Sequence, residues 1–143
     1  MVKVFVDTNV LIDFMQSSRK GHLVARDCFH LILSGKVEGE LSTQSILDAA
    51  YICAKDESYN DGAFRDTMSM LTVRINIDPI EPSSVRRALD NSNPDIEDSA
   101  QIALAYDNVC DFIITNDAKL LKRELPAPLK AMTPEAFIER CKA

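Results

Sequence analysis

Tryptophan is absent from this chain of 143 residues, and glycine (4), proline (6) and histidine (2) are scarce. So little glycine and proline excludes a collagen-like or low-complexity chain, and a hydrophobic share of 46% excludes a disordered one. There is no run of about 18 apolar residues, so no transmembrane helix and no membrane partner are expected. The opening residues 1–7 reach a charge too early for a secretory leader. The four cysteines, Cys28, Cys53, Cys110 and Cys141, form no C-x-x-C pair, and His22 and His30 do not complete a zinc-ligand pattern. Reduced, mostly buried thiols in a cytoplasmic protein are expected instead. Positive charge is also short: 16 Lys+Arg stand against 22 Asp+Glu, a net charge of −6. A module living by phosphate contacts alone would be basic. An enzyme that meets phosphate through a bound cation remains compatible with this balance.

What is present is a regular alternation of short apolar runs and amphipathic stretches, read as one α/β domain over residues 1–143. Buried strands are expected at 2–6 and 111–115, a short strand at 39–42, and a period-two strand at 73–77. Helices are expected from Thr8, at 19–33 with Ser34-Gly35 as the stop, and at 43–54 behind a Ser42 or Thr43 cap. Further helices are expected at 62–72, 82–91 and 95–107, with a single turn at 118–121. Pro126 and Pro128 mark a loop before 129–132. Thr133-Pro134-Glu135 opens the last helix with a cap, a proline at the first helical position and an acid in the first turn. Helices of this length between short strands imply parallel strands joined by right-handed crossovers. The ligand crevice of such a sheet lies beyond the carboxyl ends of its strands.

Two carboxylates stand at those ends. Asp7 follows Val4-Phe5-Val6, and Asp117 follows Ile113-Ile114-Thr115-Asn116. Asp98, in the first turn of the helix at 95–107, is placed to reach back over the crevice. It also fits the third helical position of a capping box begun by Asp95. Asp48 lies among Ile46, Leu47, Ala49 and Ala50, with no Lys or Arg within a helical turn. A carboxylate buried in that company needs a partner or a shifted pKa, and a divalent cation would serve. Oxygen ligands without His or Cys suit Mg²⁺ or Mn²⁺. Thr8, Asn9 and Thr115 are candidates to support these acids, Thr8 and Asn9 doubling as a helix-opening pair. Asp95 and Glu97 read mainly as first-turn helix residues, and Asp13 and Asp111 as surface acids.

The stretch Val4-Phe5-Val6-Asp7-Thr8-Asn9-Val10-Leu11-Ile12-Asp13 resembles the opening strand and turn of PIN-domain ribonucleases. Asp95-Ile96-Glu97-Asp98-Ser99-Ala100-Gln101 and Cys110-Asp111-Phe112-Ile113-Ile114-Thr115-Asn116-Asp117 resemble their third and fourth acidic motifs, and Met132-Thr133-Pro134-Glu135-Ala136-Phe137 a common bacterial ending. The resemblance implies a three-layer α/β/α sandwich around a central parallel sheet. It also implies an endoribonuclease dependent on Mg²⁺ or Mn²⁺. Family members of this length are mostly VapC-type toxins, usually dimeric and held inactive by an antitoxin protein.

Asp7, Asp98 and Asp117 match the first, third and fourth family acids, the expected metal ligands. Asp48 matches the second, where many members carry Glu; one methylene shorter, it would reach a metal through water. Asn116 replaces an arginine found before the fourth acid in several members. Phosphate contacts then fall to Lys119, Lys122 and Arg123, or these form a solvated surface. The rival readings are a catalytically silent PIN-fold binding protein and a receiver domain using Asp78. A haloacid-dehalogenase-like phosphatase is disfavoured because Asn9 stands where its second Asp belongs.

Overall fold

A computed structural model describes residues 1–142. Its strands are β1 (Lys3–Val6), β2 (Glu38–Ser42), β3 (Asn76–Asp78), β4 (Phe112–Ile114) and β5 (Lys130–Met132). All neighbouring pairs are parallel, in the order β3-β2-β1-β4-β5. The helices are α1 (Thr8–Met15), α2 (His22–Leu33), α3 (Thr43–Cys53), α4 (Asp61–Arg74), α5 (Pro82–Asp90), α6 (Ile96–Asp107), α7 (Ala118–Lys122) and α8 (Pro134–Lys142).

The period-two pleat of β1 sends its side chains to opposite faces. Val4 and Val6 join Leu11, Phe29, Leu41, Leu71 and Phe137 in the core under α1–α4 and α8. Phe5 joins Ile102, Ala105, Ile113 and Leu120 under α6 and α7. The sheet is therefore covered on both faces, as parallel sheets are, and the α/β/α layering expected from the sequence is present.

Three sequence expectations are corrected. Residues 73–77 do not form one strand, because α4 continues through Arg74 and β3 begins at Asn76. Met68, Leu71 and Ile75 make a buried stripe at helical spacing. It outweighs the local alternation and leaves Val73 in solvent. Helix α2 starts at His22 rather than 19, since the preceding residues fold back over the end of α1. Residues 130–132, assigned no element from sequence, add the edge strand β5.

The order of strands places β1 at the centre. The chain leaves β1 for β2 and β3 on one side and later returns to β4 on the other. The reversal lies between the carboxyl ends of β1 and β4, where open α/β sheets form their ligand crevice.

Candidate functional site

Asp7 is the residue at which β1 becomes α1. Its backbone N–H still donates to Ile114 O across the sheet at 2.9 Å. Its side chain caps the helix, Oδ1 accepting from Thr8 N at 2.8 Å. Oδ2 accepts from the Thr115 hydroxyl at 2.7 Å, and the same Thr115 oxygen accepts the Asp117 N–H at 3.0 Å. One buried hydroxyl just beyond β4 thus couples the two strand-end acids. Asp117 in turn caps α7, accepting from Lys119 N at 2.9 Å.

Helix α6 brings the third acid. Asp95 caps it, accepting from Asp98 N at 2.9 Å, but the expected capping box is only half formed, because Asp95 N donates to Asn93 Oδ1 at 2.9 Å rather than to the Asp98 carboxyl. Partial burial, then the charges of Asp95 and Asp7, push the Asp98 carboxyl up to about 7. Asp7 is also raised: burial drives it up, Thr115 and Thr8 pull it down, and Asp117 and Asp95 add repulsion. Glu97 is raised by partial burial, then by Asp48, Asp95 and Asp7. These shifts have one physical meaning: acids from α1, α3, α6 and the β4 end share one negative field. Among the described residues, no Lys or Arg forms an ion pair with Asp7, Asp48, Asp95, Glu97, Asp98 or Asp117.

Asp48 joins this field, though its expected surroundings are corrected. Leu47 and Tyr51 on the same helix point to solvent. Asp48 is half-buried rather than enclosed by apolar side chains, and it accepts from Gln44 Nε2 at 2.8 Å. The group facing it is Glu97, another acid. Asp95 and Glu97, read mainly as helix-start residues, contribute charge to the cluster.

Thr8 is buried and belongs to a second hydrogen-bond network. Its hydroxyl lies 2.7 Å from Ser45 Oγ, Ser42 Oγ donates to Ser45 Oγ at 3.0 Å, and Gln101 Nε2 reaches Thr8 Oγ1 at 3.4 Å. This network links the starts of α1 and α3 to α6, one turn from Asp98. Sequence reasoning missed Ser45 and Gln101. The available signal was a polar Gln101 between Ala100 and Ile102 on an otherwise apolar stretch, one turn after Glu97. Asn9 stands exposed in the first turn of α1, outside both networks. Lys119 and Lys122 are exposed on α7, whereas Arg123 is half-buried and donates at 2.6 Å to the Oγ of Ser99, the residue after Asp98.

Asp13 is not a surface acid. It is 8% exposed, and its Oδ1 accepts from Arg19 Nε at 2.7 Å. Its Oδ2 accepts from Asn116 Nδ2 at 3.2 Å. Gly21 permits this, because a Cβ there would collide with the Asp13 carboxylate. Asp111 is exposed as expected and accepts from Lys3 N at 2.9 Å.

The donor set at the crevice is oxygen only, and its negative charge has no protein cation beside it. That chemistry fits a hard divalent ion. Among the described residues no three acidic, His or Cys side chains are already drawn into an ion cage. Mutually repelling carboxylates favour such spacing, and Mg²⁺ commonly takes only one or two carboxylates and keeps its waters. The fit therefore rests on donor type and charge, not on a preformed cage.

The family model of the PIN domain matches residues 3–119. Over 143 residues the chain is 27% identical to ribonuclease VapC1 of Aquifex aeolicus (strain VF5), covering 96% of this chain and 94% of that protein. Among solved structures it is similar to Mycobacterium tuberculosis VapC20, described as a toxin cleaving the sarcin-ricin loop. That match has a TM-score of 0.65 and 11% identity, covering 80% of this chain and 90% of the other. It is also similar to DNA-bound VapBC of Salmonella typhimurium, with a TM-score of 0.64 and 14% identity, covering 94% and 99%. At such identities the structural likeness is one of fold. No helix among the described residues is long and apolar enough to cross a membrane.

Proposed function

The chain belongs to the PIN-domain family, and from that premise we propose that it is a Mg²⁺- or Mn²⁺-dependent endoribonuclease, the toxin of a toxin–antitoxin pair. The observation supporting this most strongly is the acid cluster at the β1–β4 crevice, in which Asp7 and Asp98 are raised by burial and like charge and no acid is ion-paired to a Lys or Arg among the described residues. Asp7, Asp98 and Asp117 would hold the ion, with Asp48 contributing through water. When bound, such an ion supplies Lewis acidity toward a phosphoryl oxygen and a water of lowered pKa.

The chain's own residues supply position. The Thr115 hydroxyl fixes the Asp7 carboxylate and the Asp117 backbone relative to each other. The Thr8–Ser45–Gln101 network holds α1 and α3 against α6, and therefore Asp7 and Asp48 against Asp98. Arg123, tied to Ser99 and outside the acid cluster, offers a cation to a substrate phosphate, and Lys119 and Lys122 extend positive charge into solvent. No histidine belongs to the cluster, so no protein general base is assigned.

The ribonuclease activity named for the Aquifex relative and the toxin–antitoxin pairing named for the solved neighbours support RNA as substrate and a protein antitoxin as partner. A homodimer in a cytoplasmic setting completes the reading. The receiver alternative is disfavoured by topology: Asp78 ends the edge strand β3, which is separated from β1 by β2.

The test is cleavage of a mixed RNA pool by the purified chain in Mn²⁺, in Mg²⁺ and in EDTA, beside Asp7→Asn. Metal-dependent cleavage that disappears in the variant is the expected result. A folded chain that cuts nothing under either metal would overturn the enzyme assignment in favour of a silent binding protein.

A further inference from the structure

Two clefts on opposite faces of the sheet each reach a residue next in sequence to one of the clustered acids. One, of about 600 Å³, is lined from α5, α6 and the 123–126 segment, on the face that receives Phe5. It contains Arg123 and Ser99, next to Asp98. The other, of about 540 Å³, lies on the face that receives Val4 and Val6. It is lined by Asp13, Arg19, Lys20, Gly21, Asn116 and Glu135, with Asn116 adjoining Asp117. None of the clustered acids lines either cleft.

Its construction is specific. Arg19 spends only its Nε on Asp13, so one edge of the guanidinium is anchored to a buried carboxylate. The two Nη groups have no hydrogen-bond partner among the described residues, and the side chain is 35% exposed. The anchor is itself fixed by Asn116, by the close approach of Gly21, and by His22 Nδ1 lying 2.9 Å from Asp13 O. Lys20 adds a second cation at the same mouth, exposed. A planar guanidinium held by one edge, with its other donors free, suits a phosphate oxygen. Asn116 links this arrangement directly to Asp117.

We infer that the Arg19–Lys20 cleft is a phosphate-binding subsite that holds the RNA strand on the Asp117 side of the scissile bond, opposite Arg123 on the Asp98 side. This rests on the ribonuclease reading above. It adds a substrate form: a single strand extending beyond the acids in both directions, since a short fragment would leave one cleft empty. In a chain of net charge −6, the free guanidinium edge of Arg19, the exposed Lys20 ammonium and Arg123 are local positive groups that a polyanion can meet on either side of an acidic crevice.

The experiment measures binding, separately from cleavage. A labelled single-stranded RNA twelve-mer of mixed sequence is titrated against the Asp7→Asn chain in Mg²⁺ over a range of KCl. Replacing Arg19→Gln or Lys20→Ala in that background should weaken binding severalfold and flatten the salt slope by about 0.7 for each phosphate no longer neutralised. Arg19→Lys should restore most of the slope. Glu135→Gln, which removes the exposed one of the two acids lining the same cleft, should tighten binding, a change of sign that a folding defect does not produce. Affinity and slope unmoved by Arg19→Gln, Lys20→Ala and Glu135→Gln would overturn the subsite, and a cleft for an acidic protein segment would give that result. The two conclusions fail separately. If the wild-type chain cleaves RNA but these variants bind normally, only the subsite falls; if it cleaves nothing in the pool assay, the nuclease falls and the subsite with it.

Discussion

Glu40 and Asp7 are both carboxylates buried at the sheet, on neighbouring parallel strands, and they are handled in opposite ways. Glu40 sits within β2 opposite Phe5, fully buried. Asn108 Nδ2 donates to its Oε1 at 2.6 Å, and Lys3 Nζ lies 3.2 Å from Oε2, which has no hydrogen bond of its own. Burial raises the Glu40 carboxyl, and Asn108 and Lys3 pull it back. Burial would lower the Lys3 ammonium, but Glu40 reverses this and holds it above its ordinary value. Asp7 is raised by burial too, but the charges around it are Asp117 and Asp95, and only neutral donors oppose them. One acid is answered within the chain and is a structural element. The other is left with like charge at a crevice, which is the electrostatic basis of the cation site proposed above.

Disturbing the two environments separately breaks the comparison most sharply. Asp7→Asn should reduce RNA cleavage to background while its melting temperature does not fall, because the change removes charge from a repelling cluster and keeps the capping oxygen. Lys3→Met should do the reverse. It leaves Glu40 buried without its cation, and removing one partner of a buried pair costs about 3–5 kcal/mol. Urea unfolding measures that loss, and Lys3→Met/Glu40→Leu should recover most of it. Cleavage per folded molecule should stay at the wild-type level in both. A Lys3→Met chain as stable as wild type would show that Glu40 is not held by the ion pair.

Thr115→Val probes the intermediate case, a neutral donor on an unpaired acid. The valine keeps the volume but loses the hydroxyl that orients Asp7 and receives the Asp117 N–H. Outer-shell partners of ligating groups commonly contribute about 10–100-fold to metal affinity or activity. Cleavage should fall within that range, and the midpoint of the Mn²⁺ dependence should move to higher concentration. Thr115→Ser should retain both. Unchanged Mn²⁺ dependence in Thr115→Val would remove the hydroxyl from the site.

Why Asp7 is legible in the sequence and Glu40 is not follows from the same contrast. Asp7 and Asp117 each terminate an apolar run, and the end of a parallel strand is a predictable position in a sheet. Asp98 is legible because Asp95 three residues earlier marks a helix start. Glu40 sits in Glu38-Gly39-Glu40-Leu41-Ser42, where nothing local indicates that Lys3, thirty-seven positions away by sequence number, completes its environment. Asp13 reads wrongly as a surface acid for the same reason: its partners arrive through a loop and from Asn116, both set by tertiary packing. Asp48 is placed in the cluster by its motif, but its burial is overstated because Leu47 and Tyr51 face outward. The Ser42–Ser45–Gln101 network joins elements that only the folded sheet brings together.

The effect that isolates unanswered charge from activity is the pH dependence of stability without metal. Asp98 titrates near 3.8 in an unfolded chain and at about 7 in the fold, through partial burial first and then Asp95 and Asp7. The folded state therefore holds this proton more tightly than the unfolded state. Its contribution to stability is complete below the unfolded value and is lost as pH rises through the folded one. Asp7 and Glu97 are shifted in the same direction. In EDTA the chain should melt at a higher temperature at pH 5 than at pH 8, and Asp98→Asn should flatten the difference. Mg²⁺ should raise the melting temperature more at pH 8, where the carboxylates are ionised, than at pH 5. Glu40 carries its own cation and lies outside the crevice, so Glu40→Gln should leave this Mg²⁺ response in place. A metal-free melting temperature that instead climbs from pH 5 to pH 8 would mean that the crevice acids are answered within the chain after all, as Glu40 is.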